Sequence, residues 1–171
     1  SMGIRGEKSN FEDQFLYSPR LNLALDLPFR LGKIILNGGR YFQSPPEKYI
    51  GIATHNSLMS VRADQVSLSY EMLLNASTKL SLAIYNKQYF DAPIVYSADS
   101  TASPVFLMDR NITFNQLKSG GRAESQGVEL LVEKKRAENF YGHFGGSIFN
   151  STFTDYLGNE RNRDTNYQYL L

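Results

Sequence analysis

Hydrophobic and polar residues alternate strictly along several stretches of this chain. The first stretch begins at Arg20, where leucine occupies every odd position through Leu27 and Arg, Asn, Ala and Asp occupy the even positions. A β-strand sends successive side chains to opposite faces, so the stretch predicts a strand with one leucine face. A helix would spread the same leucines over a wide arc, which makes a helix the poorer interpretation.

The two-residue period recurs further along the chain. In Gln65–Leu74 and at the start of Lys79–Tyr89 the apolar residues hold the even positions, and Gly127–Lys134 follows the same rule except at Leu131. We therefore predict an all-β chain, with partial strands near Gln14–Tyr17 and from Thr165 onward. The six clear strands span about residues 19–28, 33–42, 65–74, 79–91, 125–135 and 140–153.

The connections between these strands alternate in length. Short turns at 28–32, 75–78 and 136–139 predict hairpins, whereas segments 43–64, 92–124 and 154–164 are long. If the strands run antiparallel in chain order, the short turns meet at one end of the sheet and the long loops at the other. This predicts an antiparallel meander of about seven long strands. Outer-membrane barrels combine short and long connections in this way.

Composition narrows the function classes. The 18 Lys and Arg residues nearly balance the 17 Asp and Glu residues, so charge gives no case for a nucleic-acid partner. Cysteine is absent, which excludes a disulfide framework, a Cys-ligated metal and a thiol nucleophile. Only His55 and His143 are present, which excludes a His-rich metal site. No apolar run reaches the ~20 residues of a transmembrane helix.

No pattern in the sequence supports catalysis or cofactor binding. The glycine pairs at 120–121 and 145–146 lack the phosphate-loop pattern, and Asp155, Glu160 and Asp164 do not match the spacing of a calcium loop. We find no Ser-His-Asp arrangement and no carboxylate pair suited to acid–base chemistry. The sequence therefore predicts that the chain is not an enzyme and has no catalytic, cofactor-binding or metal-binding residue.

Several segments, in order, resemble the β-barrel of a TonB-dependent outer-membrane receptor. The strongest is Ser-Gln-Gly-Val-Glu-Leu-Leu-Val-Glu-Lys-Lys at 125–135, which precedes a charged short turn and a strand rich in aromatic residues and glycine. The similarity extends over about residues 18–169. The other segments that carry it are Ser18–Leu21, Leu36–Pro46, Arg62–Glu71 and Lys79–Lys87.

The resemblance implies that the chain is part of a larger transmembrane β-barrel in the outer membrane of a bacterial cell. It implies energy-coupled nutrient uptake, with long extracellular loops that capture a small-molecule, glycan or peptide substrate. The implied partners are outer-membrane lipid, the remaining strands and plug of the receptor, and the inner-membrane energy-coupling complex. The substrate and its binding residues stay open. The alternative is a soluble all-β module that binds a ligand or carbohydrate.

The family's plug domain, energy-coupling box and terminal aromatic strand are not found in this sequence. We therefore expect residues 1–171 to form a single internal-to-late section of a barrel, since about seven strands are too few to close one. Ser1-Met2-Gly3 is interpreted as a remnant of cloning. An isolated section would expose a leucine face and open sheet edges, so we expect it to need detergent or partner chains, or to fold its sheet over.

The predicted faces and ends of the sheet give candidate residues. The rows Leu21–Leu27 and Val66–Leu74 are expected to face lipid. The aromatic pairs at 41–42, 89–90 and 140–141 are expected to lie in interfacial girdles. The expected lumen residues are Arg20, Asn22, Asp26, Ser67, Ser69, Glu71, Lys87, Glu129 and Glu133. The loop residues that offer stacking or hydrogen-bonding groups are Tyr49, His55, Arg62, Tyr96, Asp99, Phe106, Asp109, Arg110, Tyr156, Arg161 and Arg163.

Overall fold

The structure, a computed structural model, describes residues 1–8, 15–45, 58–95, 117–137, 140–154, 158–162 and 169–170. Its six long strands are β2 (Phe15–Asp26), β3 (Lys33–Gln43), β4 (Val61–Asn75), β5 (Thr78–Val95), β6 (Leu117–Ala137) and β7 (Phe140–Thr154). Three shorter strands are β1 (Met2–Lys8), β8 (Glu160–Asn162) and β9 (Tyr169–Leu170). A single-turn 3-10 helix, Pro28–Arg30, joins β2 to β3.

All described strands belong to one antiparallel sheet. The spatial order follows the chain from β1 to β8, and β9 pairs with β7. Each strand from β1 to β8 therefore lies beside its sequence neighbour, which makes the sheet a meander without crossovers. The prediction of an all-β antiparallel meander is confirmed. Within the described ranges, no helix is long and apolar enough to cross a membrane.

The observed strands agree with the hydrophobic pattern in their centres and differ from it at their ends. The bounds of β3 and β7 each match the prediction to within one residue. The predicted strand 19–28 and the partial strand near Gln14–Tyr17 form one strand, β2, which ends at Asp26 and leaves Leu27 in the turn. Strand β1 was not predicted, because Gly3 and Gly6 weaken its strand signal.

The long connection predicted over 92–124 is partly wrong. Strands β5 and β6 continue their pairing to Val95 and Leu117, far beyond the predicted ends. The register shifts twice on the way, beside Asp91 (φ 59°) and Gly120 (φ 132°). Such bulges break the two-residue alternation, so the sequence pattern ends before the strands do. The other two predicted loops are shortened as well, by the start of β4 at Val61 and by β8.

A small buried cluster lies where β5, β6 and β7 approach the long connections. Leu58 is 1% exposed and packs at this end, where the backbone N–H of Met59 donates to Ser119 Oγ at 2.8 Å. The buried hydrophobic residues of the described ranges are Leu58, Ala92, Ile94, Ala123 and Phe153. Most of the sheet therefore has no hydrophobic core on either face.

Candidate functional site

The register of the sheet collects its apolar side chains on one face. Leu23 of β2 pairs with Leu36 of β3, and the row continues through Leu68, Ile84 and Val128 to Ile148. Cross-strand partners share a face, so these rows form a continuous surface, here called the apolar band. Its members are Leu21, Leu23, Leu25, Ile34, Leu36, Val66, Leu68, Tyr70, Met72, Leu80, Leu82, Ile84, Val128, Leu130, Val132, Phe144 and Ile148.

The apolar band is open to its surroundings rather than packed against another layer. Leu68 is 43% exposed, Leu25 is 62% exposed and Ile148 is 68% exposed. The sheet therefore does not fold over to cover its leucine face in the described part of the chain. Contiguous apolar surfaces of this extent mark a contact with lipid or with another protein.

A polar row bounds the band on the side of the long connections. Arg40, Asp64, Gln88, Glu124 and Thr152 pair in succession across β3 to β7 and lie on the same face as the leucines. Arg40 donates to Asp64 twice, from Nε at 2.8 Å and from Nη2 at 3.1 Å. Polar side chains begin one row lower on β5 to β7, where the row of Val66 continues through Asn86, Gln126 and Asn150. On these strands the apolar band therefore ends at the row of Ile84, Val128 and Ile148.

The opposite face, here called the polar face, has charged and amide groups at the same heights as the leucines. Near the short turns its charges are paired: Lys33 Nζ lies 3.4 Å from Asp26 Oδ1, and Lys79 Nζ lies 2.9 Å from Glu71 Oε1. Higher up, Asn22 donates a side-chain hydrogen bond to Asn37. The nine residues predicted for the polar side of the alternation all lie on this face.

Two tyrosines on the polar face lie over glycines and beneath cations. The Tyr41 ring lies over Gly39, where an added Cβ would come within 3.1 Å of ring atom Cε2, and Arg20 Cζ is 4.5 Å from the ring centroid. Tyr85 lies over Gly127, where an added Cβ would come within 2.9 Å of Tyr85 Oη.

The second cation is Lys87, whose Nζ is 4.9 Å from the Tyr85 centroid. Two glycine–tyrosine–cation stacks therefore repeat on the polar face. The alternation predicts Arg20 and Lys87 as polar positions but does not predict the stacks. Their glycines and cations meet across strands, and only the register brings them together.

The aromatic pairs predicted as girdles are split between the two faces, because neighbouring residues in a strand point in opposite directions. Phe42 and Phe90 flank Arg62 on the face of the apolar band, and Arg62 Cζ lies 4.1 Å from the Phe90 centroid. Tyr41 and Tyr89 lie on the polar face. At the short turns, Phe140 and Tyr141 are both exposed. The girdles themselves stay a prediction.

The predicted loop residues divide into two groups. Arg62 and Arg161 were expected in loops, and this is wrong, since they lie in strands β4 and β8. The strands are longer than the hydrophobic alternation indicates, which explains both misplacements. The others lie outside the described residues: Tyr49, His55, Tyr96, Asp99, Phe106, Asp109, Arg110, Tyr156 and Arg163.

The titratable residues of the described ranges form no group of three or more that could hold a metal ion. His143 lies in β7, paired with Glu133 of β6, and is exposed on the polar face. Of the three carboxylates compared with a calcium loop, Glu160 lies in β8, and Asp155 and Asp164 lie outside the described residues.

Comparisons with known proteins identify no relative of this chain. No family model matches the chain, and neither the curated proteins nor the solved structures give a significant match.

Proposed function

We propose that this chain is a section of the wall of a transmembrane β-barrel, from a TonB-dependent receptor of the bacterial outer membrane. The observation that carries the proposal is the apolar band, which crosses six consecutive strands and stays exposed. Barrel walls alternate apolar residues toward lipid with polar residues toward the lumen. The resemblance in residues 18–169 selects the receptor family among barrels.

The distribution of hydrophobic residues argues against a soluble sheet. In the described ranges five hydrophobic residues are buried, whereas twenty-one large hydrophobic residues are exposed. Burial of apolar area is the main stabilising contribution to folding in water, and here most of that area would stay in contact with water. A bilayer removes this cost.

The height of the apolar band can be compared with that of a membrane. From Val66 to Met72, strand β4 advances six residues, about 20 Å at ~3.4 Å per residue. At a tilt of about 40°, which is usual for barrel strands, this corresponds to about 16 Å along the membrane normal. The apolar height of an outer-membrane barrel is about 25 Å, so the band covers about two thirds of it.

The lengths of the connections indicate how the wall is oriented in the membrane. The turns that join β2 to β3, β4 to β5 and β6 to β7 are short, whereas β3 to β4 and β5 to β6 are joined by long segments. Outer-membrane barrels have short periplasmic turns and long extracellular loops. In this orientation the polar row lies above the outer membrane surface, and the long connections are the surface that captures a nutrient before energy-coupled uptake.

Detergent dependence tests the proposal. In buffer without detergent we expect the chain to associate into large species through the apolar band, and in micelles we expect a dispersed, β-rich species. Size-exclusion chromatography with light scattering and far-ultraviolet circular dichroism measure both. A folded monomer that persists at high concentration without detergent would favour the soluble binding module instead.

A further inference from the structure

We propose that Arg20 and Lys87 form a subsite for a multiply charged anion that bears phosphate or carboxylate groups. The inference rests on the proposed function, because the polar face must line a water-filled lumen for a ligand to reach it. It goes further by naming a position in the wall and a chemical class of ligand.

Each of the two cations lies on a tyrosine ring, which separates it from the backbone of the sheet. Arg20 is the direct cross-strand partner of Gly39, and its guanidinium lies on the Tyr41 ring, which itself covers that glycine. Lys87 lies on the Tyr85 ring, which covers Gly127. A cation that stacks on a ring keeps its N–H donors free for other partners. Both cations are therefore positioned before a ligand arrives.

Neither cation has an anionic partner among the described residues. No ion pair or hydrogen bond joins Arg20 or Lys87 to a side chain there, in contrast to Lys33 and Lys79 lower on the same face. Glu7 and Glu129, two carboxylates on this face, lie four residues along their strands from the row of the two cations, about 13 Å away. The upper part of the polar face is thus locally positive and attracts anions.

The spacing of the cations indicates the kind of anion. Arg20, Gly39, Gln65 and Lys87 are successive partners across β2 to β5, which places the outer two Cα atoms about 14 Å apart at ~4.8 Å per strand. The space between them holds the Tyr41 ring, which covers Gly39, and the Gln65 amide, which can both donate and accept hydrogen bonds. A ligand that contacts both cations at once must therefore carry two or more anionic groups.

Isothermal titration of the 171-residue chain in neutral detergent micelles tests this subsite, with citrate and inorganic pyrophosphate as separate probes. We expect at least one probe to bind. Arg20→Met and Lys87→Met should each lower its affinity about tenfold, because each removes a charge-assisted contact and leaves the chain length similar. The double variant should show no measurable binding. Comparing the two probes distinguishes a carboxylate ligand from a phosphate ligand.

Lys135→Met is the matched control, because Lys135 is an exposed lysine of β6 near the short turn. It should leave the affinity unchanged, and circular dichroism should show the same strand content for every variant. Equal affinity in the parent chain and the double variant, or no binding of either probe to a β-rich chain, would overturn the subsite. Lipid contact of the apolar band is measured independently, so failure here and failure of the barrel proposal are distinguishable.

Discussion

At the residue scale, glycine on the polar face makes room for larger neighbours. Gly127 is a tight case, since an added Cβ would lie 2.7 Å from Ile148 O, 2.7 Å from Phe149 Cβ and 2.9 Å from Tyr85 Oη. Leu131, the residue that breaks the alternation of Gly127–Lys134, pairs with Gly145. An added Cβ at Gly145 would meet Leu131 Cδ1 at the ordinary distance of 3.6 Å, so glycine is not required there for space.

Gly127→Ala should therefore destabilise the sheet by about 1–3 kcal/mol, because backbone atoms of β7 must move to admit the methyl group. Gly145→Ala is the matched control on the adjacent strand. It should be neutral or slightly stabilising, since alanine has less backbone freedom in the unfolded chain. Guanidinium titration in micelles, followed by circular dichroism, measures both. Equal losses for the two variants would show that the close approach of Tyr85 and β7 does not matter.

At the scale of the strand, each long element presents two chemically different faces at the same depth. Strand β4 shows this most clearly, with Leu68 on the apolar band and its neighbour Ser67 on the polar face. The cost of a charge should therefore depend on the face and on the height within the band, rather than on the strand alone.

We expect Leu68→Arg to cost about 2–4 kcal/mol in vesicles, because it places a guanidinium near the middle of the hydrocarbon. Gln88→Arg on the polar row of the same face, above the band, should cost about 0–1 kcal/mol. Ser67→Arg on the polar face should also cost little. Denaturant titration of the three variants in the same vesicles gives the comparison. A similar cost at all three positions would contradict a lipid-facing band.

The strands also show which parts of the fold and the site could be predicted from the sequence. Strict alternation around Leu23, Leu68 and Val128 was enough to predict both the strands and their faces, because a single face must collect the leucines. It failed where bulges at Asp91 and Gly120 shift the register, since alternation ends there while backbone pairing continues. The complete stacks were out of reach. Tyr85 and Lys87 are neighbours on one face of β5, but the contacts of Arg20 with Tyr41 and of Tyr85 with Gly127 depend on cross-strand register.

At the scale of the whole molecule, the central feature is the difference in polarity between the two faces of one sheet. One face has a continuous apolar band that is exposed, and the other has paired charges near the short turns and unpaired cations above them in the described ranges. A soluble protein would cover such a band with a second layer. A barrel wall covers it with lipid, and this difference can be measured directly.

The most direct measurement is lipid exposure at neighbouring positions on opposite faces. The chain has no cysteine, so single variants Leu23→Cys, Leu68→Cys, Asn22→Cys and Ser67→Cys can each carry one fluorescent probe. In nanodiscs, a quencher attached to the lipid chains should quench the probes at Leu23 and Leu68, and a water-soluble quencher should quench those at Asn22 and Ser67. Shielding of both leucine positions from both quenchers would contradict the barrel wall and indicate a protein-covered sheet.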